Sequence, residues 1–143
     1  MEATQRQKCD VIYEIVIVLV LDRRKVFIRK DKRPGQLVFP CFIHDKSLNS
    51  EQKRSLSVDL VLNKLNLFVD SPVSETEAIH QLQGNWHVST CYRIDVSVKD
   101  SCRMLESGDW KQIDSVLDSV EPLSYVRTVL ELLGLAKINS VRI

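Results

Sequence analysis

The stretch 11-VIYEIVIVLVL-21 decides the fold class of this chain. It is rich in Val and Ile and almost continuously apolar, which is typical of a strand that is covered on both faces of a sheet. It contains Glu14 and has only about half the length that a membrane helix needs, so we interpret it as a buried strand and not as a membrane span. A strand buried in this way requires a layer of helices on each side of the sheet.

The residues after this strand predict a hairpin and a short third strand. A tight turn at 22–24 leads into a second strand over 25–30. Pro34-Gly35 then turns the chain into a short strand over 36–39, which the following proline stops.

A helix is predicted over 51–67, because apolar residues recur there at helical spacing. The stripe consists of Val58, Val61, Leu62 and Leu65. Polar residues at 47–50 can cap its start, and Asn66 can end it in a left-handed conformation. We therefore expect one face of this helix to pack on the sheet.

The second half of the chain predicts a hairpin around Gly84, with strands over 75–83 and 85–98. In the second strand an apolar face alternates with a polar face, which indicates an edge strand or the lining of a groove. Four shorter elements are also predicted: a strand beginning at 68–70, an extended piece at 109–113, a small helix at 114–120 and a last helix between Pro122 and Gly134.

This order of elements predicts a single α/β domain, an α/β/α sandwich with a mixed β-sheet, over residues 11–137. Residues 1–10 are expected to be a flexible N-terminus, and 138–143 a C-terminal tail. The net charge of +1 gives no global attraction to nucleic acid or to a membrane. The first residues do not form a signal peptide and no two cysteines are spaced as a metal knuckle, so reduced thiols in a cytoplasmic or nuclear protein are expected.

Two strings of the sequence resemble the Nudix (MutT-like) superfamily. The string 32-KRPGQLVFP-40 is similar to the entry to the family's Nudix loop, and residues 110–133 are similar to its tryptophan-containing strand and last two helices. The resemblance covers about residues 11–135 and implies the Nudix fold. In active members it also implies Mg²⁺ held by glutamates of the box helix.

The chain departs from the family's defining box. The family has Gly-Gly after Phe-Pro, and this chain has Cys41-Phe42. The carboxylates that hold the metal must lie three and four residues apart to share a helix face, but the only acid between residues 53 and 67 is Asp59. No register of the box supplies a carboxylate cluster, so we expect a degenerate box, no bound metal and no cofactor.

Three functions remain open at this point. The first is a pseudoenzyme, a non-hydrolytic module that binds a protein partner, a second copy of itself or a nucleotide-like ligand. An alternative is a divergent, active hydrolase of nucleoside-diphosphate derivatives, which would need Mg²⁺ and would draw on Glu51, Asp59 and Glu75 as weak catalytic candidates. The third is a nucleic-acid-binding accessory domain, suggested by the basic residues concentrated in 22–33.

Five residues are candidates for ligand binding. Arg29, Lys32 and Arg33 can contact phosphate, although they can equally solvate a strand end. Phe39 and Phe42 can stack on a base, although single aromatic residues beside apolar runs more often belong to the core. His80 and His87 with Cys91 or Cys41 match no standard zinc spacing, so no metal site is predicted from them.

Overall fold

The computed structural model describes residues 11–29, 39–45, 47–82, 84–104, 108–119 and 125–137. Within these ranges the chain forms six strands and four helices. In chain order they are β1 (Val11–Leu21), β2 (Lys25–Arg29), β3 (Cys41–Ile43), α1 (Ser50–Leu65), β4 (Ser74–Leu82), β5 (Asn85–Val96), α2 (Val98–Ser101), β6 (Gly108–Gln112), α3 (Ile113–Ser119) and α4 (Tyr125–Leu132).

The strands form one mixed sheet in the order β4-β5-β1-β2-β6, with β3 also paired to β1. β1 and β5 are parallel over their whole shared length, from the pair Val11↔Trp86 to the pair Leu21↔Val96. The other pairings are antiparallel. One edge of β1 is shared, since β3 pairs with its first half and β2 with its last two residues. The predicted mixed sheet is confirmed.

β1 is buried on both of its faces, as its composition predicts. Ile15, Ile17 and Leu19 pack with residues of α1, and we call this side of the sheet the α1 face. The alternate residues of β1 pack with residues of α3 and α4 on the opposite side, which we call the α4 face. The helices thus form the two outer layers of the predicted α/β/α sandwich.

The turn between β1 and β2 uses two residues in the left-handed region, Asp22 at φ 57° and Arg23 at φ 59°. The Arg24 amide donates to the Leu21 carbonyl at 3.2 Å and closes the turn. A two-residue turn with positive φ at both positions matches the right-handed twist of the flanking strands, so the tight hairpin follows from this geometry.

Helix α1 is capped at both ends. Asn49 accepts from the Gln52 amide at 2.8 Å, and the Gln52 side chain accepts from the Asn49 amide at 2.9 Å, which completes a capping box. Asn66 ends the helix at φ 61°, as predicted. The buried side is displaced from the predicted stripe, because Ser57, Val61 and Leu65 are buried and Val58 is only partly buried.

Two expectations about strands need correction, and a third falls mostly outside the described residues. β3 begins after Pro40, whose carbonyl accepts from the Ile17 amide at 2.8 Å and starts the ladder with β1. Of the predicted strand over 36–39, Phe39 is described and is not part of a strand. Residues 36–38 lie outside the described residues. No strand forms at 68–70, where Phe68 is 81% exposed. The polar face of β5 lines no open groove at Ser89 and Cys91, because both residues are buried on the α4 face.

The end of the chain matches its prediction where it is described. Gly134, at φ 78°, follows α4 as the predicted stop, while the predicted start at Pro122 lies outside the described residues. The short helix α2, with Ser97 as its N-cap, was not predicted. No helix in the described ranges combines the length and the apolarity that a membrane crossing requires.

Candidate functional site

The first two turns of α1 carry two basic residues that are paired with acids of β4. Arg54 Nε donates to Glu75 Oε1 at 3.1 Å, and this carboxylate raises the pKa of the Arg54 guanidinium through its hydrogen bond and its charge. Lys53 Nζ lies 3.7 Å from Glu77 Oε2 and donates to Thr90 Oγ1 at 3.2 Å. We call these the α1–β4 ion pairs.

Tyr92 lies beside these pairs on the α1 face, directly opposite Glu75 in the β4–β5 ladder. Its side chain is fully buried, and its hydroxyl has no hydrogen-bond partner. Burial, followed by the charge of Glu75, raises the pKa of Tyr92 to about 12. The hydroxyl is therefore a neutral, unsatisfied group at neutral pH.

The candidate catalytic acids do not converge. Glu51 and Asp59 are exposed on α1, and the Glu75 carboxylate is engaged by Arg54. Among the described residues, the only group of three potential metal ligands whose donor atoms approach within 4.8 Å of one another is Glu14, His80 and His87. The structure therefore brings none of the three catalytic candidates into a shared metal site.

The candidate ligand-binding residues are also separated. Phe39 is buried in the core of the α4 face with 4% of its surface exposed, whereas Phe42 is half-buried against the core of the α1 face. Arg29 is half-buried at the end of β2. Lys32 and Arg33 lie outside the described residues. The two aromatic rings pack on opposite sides of the sheet, so they do not form one stacking surface.

An exposed apolar surface adjoins the first turns of α1. It is formed by the exposed Val11, Ile79 and Trp86 and the half-buried Tyr13 and Val88, and we call it the apolar platform. These residues are neighbours on three strands, through the pairs Val11↔Trp86, Tyr13↔Val88 and Ile79↔Val88. Ile79 is 64% exposed, Val11 49% and Trp86 41%. Contiguous exposed apolar side chains of this kind mark binding surfaces more often than isolated ones do.

The α4 face holds a buried polar cluster at the same end of the sheet. Ser89 Oγ donates to Glu14 Oε1 at 2.7 Å, and His87 Nδ1 lies 3.4 Å from that oxygen. His80 stacks on His87 with 4.9 Å between ring centroids and on Tyr125 of α4 with 3.8 Å. The Nδ1 atoms of both histidines are buried and have no hydrogen-bond partner.

The surroundings of this cluster favour the neutral forms of several groups. Burial, reinforced by His87, lowers the pKa of His80, although the charge of Glu14 opposes this shift. Burial raises the pKa of the Cys91 thiol to about 12 and raises the pKa of Tyr125 as well. Cys91 is therefore protonated at neutral pH and is not a nucleophile.

Sequence reasoning considered His80 and His87 but missed Glu14 as their neighbour. The three residues come from three adjacent strands, where Glu14 lies opposite Ser89 and His80 opposite His87. Spacing along the chain cannot show such a juxtaposition. The one available signal was a glutamate inside an otherwise apolar buried strand, since an ionisable residue in such a place needs a partner.

Comparison with solved structures shows what this arrangement is similar to. The MutT protein from Methanosarcina mazei Go1 has a TM-score of 0.61 at 10% identity, with 90% of this chain and 96% of that chain covered. The C. elegans Ap4A hydrolase gives 0.59 at 10% identity, covering 89% and 97%. The E. coli ORF135 protein gives 0.58 at 10% identity, covering 92% and 95%.

No protein-family model and no curated protein sequence matches the chain. The structural likenesses extend over nearly the whole of each compared chain, and they show that this protein has the Nudix fold. The predicted fold class is confirmed. At 10% identity the likenesses concern the fold alone, so the function has to be argued from the residues of this chain.

Proposed function

We propose that this Nudix-fold chain is a non-hydrolytic binding module. One observation carries the proposal. Where the family's box helix would present carboxylates, α1 presents Lys53 and Arg54, and their charges are taken up by Glu77 and Glu75 of the neighbouring strand. The helix therefore contributes positive charge at the place where a bound cation would require negative charge.

A magnesium site is disfavoured on geometric grounds as well. Mg²⁺ demands an octahedral set of oxygens and depends on carboxylates to hold it. Glu51 and Asp59 are eight residues apart on α1, which corresponds to about 12 Å along a helix axis, too far to hold one ion together. Recruiting Glu75 would leave Arg54 without its partner. The acids present thus support neither of the usual roles of the metal, phosphate neutralisation or activation of water.

The surface beside α1 favours a protein ligand over a nucleotide. The apolar platform offers a tryptophan and a tyrosine, residue types that anchor protein interfaces, beside aliphatic side chains that add apolar area. A phosphate-bearing ligand would instead need cations that are free to meet it, and both basic residues at this border are paired. We therefore propose a protein partner, with a second copy of this chain as one form of it.

The hydrolysis test uses purified full-length protein and a panel of nucleoside-diphosphate derivatives, including Ap4A, with Mg²⁺ or Mn²⁺. Chromatography of the products is expected to show no release above the protein-free blank. Release that disappears in Asp59→Ala and Glu75→Ala but persists in Asp109→Ala, an exposed acid on β6, would overturn the proposal in favour of the hydrolase.

The binding test places a photo-crosslinking residue at 79 or 86 on the platform, with 98 as the control. Val98 is 68% exposed but lies in α2, off the platform. Crosslinks to one identified protein, or to a second copy, are expected at 79 and 86 and not at 98. The Ile79→Asp substitution should abolish the crosslink from position 86. Equal crosslinking at 98 would contradict a specific surface.

The nucleic-acid alternative predicts a different result. Oligonucleotide binding would weaken steeply with salt and with Arg29→Glu plus Arg33→Glu, because neutralised phosphates release counterions. We expect no such binding at physiological salt. Binding with that salt dependence and that loss in the double variant would replace the protein-binding proposal.

A further inference from the structure

The polar cluster on the α4 face is separate from the α1–β4 ion pairs and has no part in the proposed binding function. From its geometry we infer that Glu14, His80 and His87 form a binding site for a borderline divalent cation such as Zn²⁺. The inference is independent of the proposed function, since it concerns the opposite side of the sheet.

The distances are close to those that zinc requires. One donor atom from each of the three residues lies within 4.8 Å of the others. Metal–ligand bonds of about 2.0–2.1 Å at tetrahedral angles place neighbouring ligand atoms about 3.4 Å apart. His87 Nδ1 and Glu14 Oε1 are already 3.4 Å apart. His80 completes the set by a rotation of its ring about the Cβ–Cγ bond, a soft torsion.

The orientations of the two histidine rings show what must change when zinc binds. The His80 and His87 rings are stacked and tilted by only 29° from parallel, so their nitrogen lone pairs lie in nearly parallel planes that do not meet at one point between the rings. Coordination of one ion requires the rings to turn until the lone pairs converge. Zinc binding is therefore expected to break the His80–His87 stack while leaving the backbone register of β4 and β5 unchanged.

Two buried ring nitrogens of this cluster have no hydrogen-bond partner within the described residues. Buried polar atoms in folded proteins nearly always have hydrogen-bond partners, and an unsatisfied one costs about 1–3 kcal/mol. The Nδ1 atoms of His80 and His87 are both buried without one. Glu14 is 7% exposed, and no lysine or arginine of the described residues forms an ion pair with it. A bound cation supplies both nitrogens with a partner and the carboxylate with a countercharge.

The donor types select the ion. Two imidazole nitrogens and one carboxylate form a set used by zinc and by neighbouring transition metals, whereas Mg²⁺ and Ca²⁺ prefer oxygen ligands alone. The Ser89 hydroxyl orients the Glu14 carboxylate through its 2.7 Å hydrogen bond, as outer-shell partners of metal ligands do. His80 is on the edge strand β4 and only half-buried, which leaves a route for the ion.

The test uses tag-free full-length protein stripped with a chelator. Titration with Zn²⁺ against a chromogenic competitor is expected to show one equivalent bound. His80→Ala and His87→Ala should each weaken binding by more than about 100-fold, beyond the effect of an outer-shell change. His44→Ala removes the third histidine, which lies outside the cluster, and should leave the affinity unchanged. Equal affinity in all four proteins would overturn the inference.

A second measurement uses only the wild-type protein, so it does not depend on whether the histidine variants fold without metal. In the wild-type protein, Zn²⁺ should shift the side-chain nitrogen resonances of two imidazoles and leave those of His44 in place. The Co²⁺-loaded protein should show visible absorption without a thiolate charge-transfer band. Unmoved imidazole resonances, or a strong thiolate band, would place the metal on cysteines or nowhere and refute the site.

Discussion

The two faces of the sheet treat their ionisable residues in opposite ways. On the α1 face, Arg54 and Lys53 meet Glu75 and Glu77 at the border of the helix, and each of these four charges has a partner of opposite sign. On the α4 face, Glu14 is buried beside two half-buried histidines, and the Nδ1 atoms of both rings lack hydrogen-bond partners. The four charges of the first arrangement are paired within the protein, while the second is completed by a cation.

This difference between the two faces shows that the face to which the fold resemblance points is not the face with the unpaired buried ring nitrogens. The Nudix resemblance directs attention to α1, yet its exposed acids Glu51 and Asp59 do not converge, and the nearby Glu75 is paired with Arg54. Surface ion pairs are common and contribute little to stability, so they need no functional explanation. Buried groups without partners are rare and do need one. On the α4 face two such ring nitrogens lie beside the buried Glu14 carboxylate, a grouping that the unpaired Tyr92 hydroxyl of the α1 face does not have, so the chemistry of this chain is to be sought on the α4 face.

The largest expected effect tests whether both faces are equally needed for folding. Leu65 of α1 and Leu130 of α4 are each fully buried, on the α1 face and the α4 face respectively. Leu65→Ala and Leu130→Ala should each lower the free energy of unfolding by about 2–5 kcal/mol, measured by urea denaturation. Leu132→Ala, at a residue 49% exposed on α4, is the control and should cost well under that. A negligible loss at Leu130 would mean that α4 is not required.

The next comparison concerns one tyrosine hydroxyl on each face. The Tyr92 hydroxyl is buried and unsatisfied, so Tyr92→Phe should raise the free energy of unfolding by about 1 kcal/mol, because an unpaired buried hydroxyl carries a cost. The Tyr125 hydroxyl lies 3.9 Å from Cys91 Sγ, so Tyr125→Phe removes a contact and should not stabilise. Thermal or urea unfolding measures both. Destabilisation by Tyr92→Phe would show that the hydroxyl has a partner after all.

The helix ends give a comparison of similar size. Asn49 caps α1, and Asn49→Ala should cost about 1 kcal/mol because the capping box is lost. Gly134 follows α4 at φ 78° with open space where a Cβ would lie. Gly134→Ala should therefore cost about 1 kcal/mol through backbone strain alone. Ser55→Ala, at an exposed mid-helix position, is the control and should be near neutral. A cost at only one end would show that one helix is already frayed.

The sequence predicted the fold well because its signals are local. The continuous apolarity of 11–21, the turn at Gly84 and the left-handed Asn66 each follow from a few neighbouring residues. The strand β3 after Pro40 was not predicted, because Pro40 looks like a stop when only its missing amide is considered. Its carbonyl, however, accepts from Ile17 and begins the pairing.

The candidate sites were harder to predict because they depend on contacts between distant segments. Phe39 was a candidate for stacking on a base, but its ring is buried in the core of the α4 face. Its apolar neighbours in the sequence favour this core position. The α1–β4 ion pairs join residues that are 21 and 24 positions apart in the sequence, and the Glu14 cluster joins residues up to 73 positions apart. Register between strands, which places Glu14 beside Ser89 and His87, is not readable from one strand alone.

The smallest effect concerns the β1–β2 turn. The turn lies outside both the α1–β4 ion pairs and the Glu14 cluster, so a change there tests whether zinc binding depends on the cluster alone. Arg23 has a Cβ and a φ of 59°, a conformation that costs such a residue about 1–2 kcal/mol and glycine almost nothing. Because glycine also adds freedom to the unfolded chain, Arg23→Gly should stabilise by less than about 1 kcal/mol. Arg24→Gly, where φ is not positive, should instead destabilise slightly. The affinity for Zn²⁺ should be the same in both variants, because a change confined to the turn leaves Glu14, His80 and His87 in place. An altered affinity would mean that zinc binding depends on the overall stability of the protein and not on these three ligands.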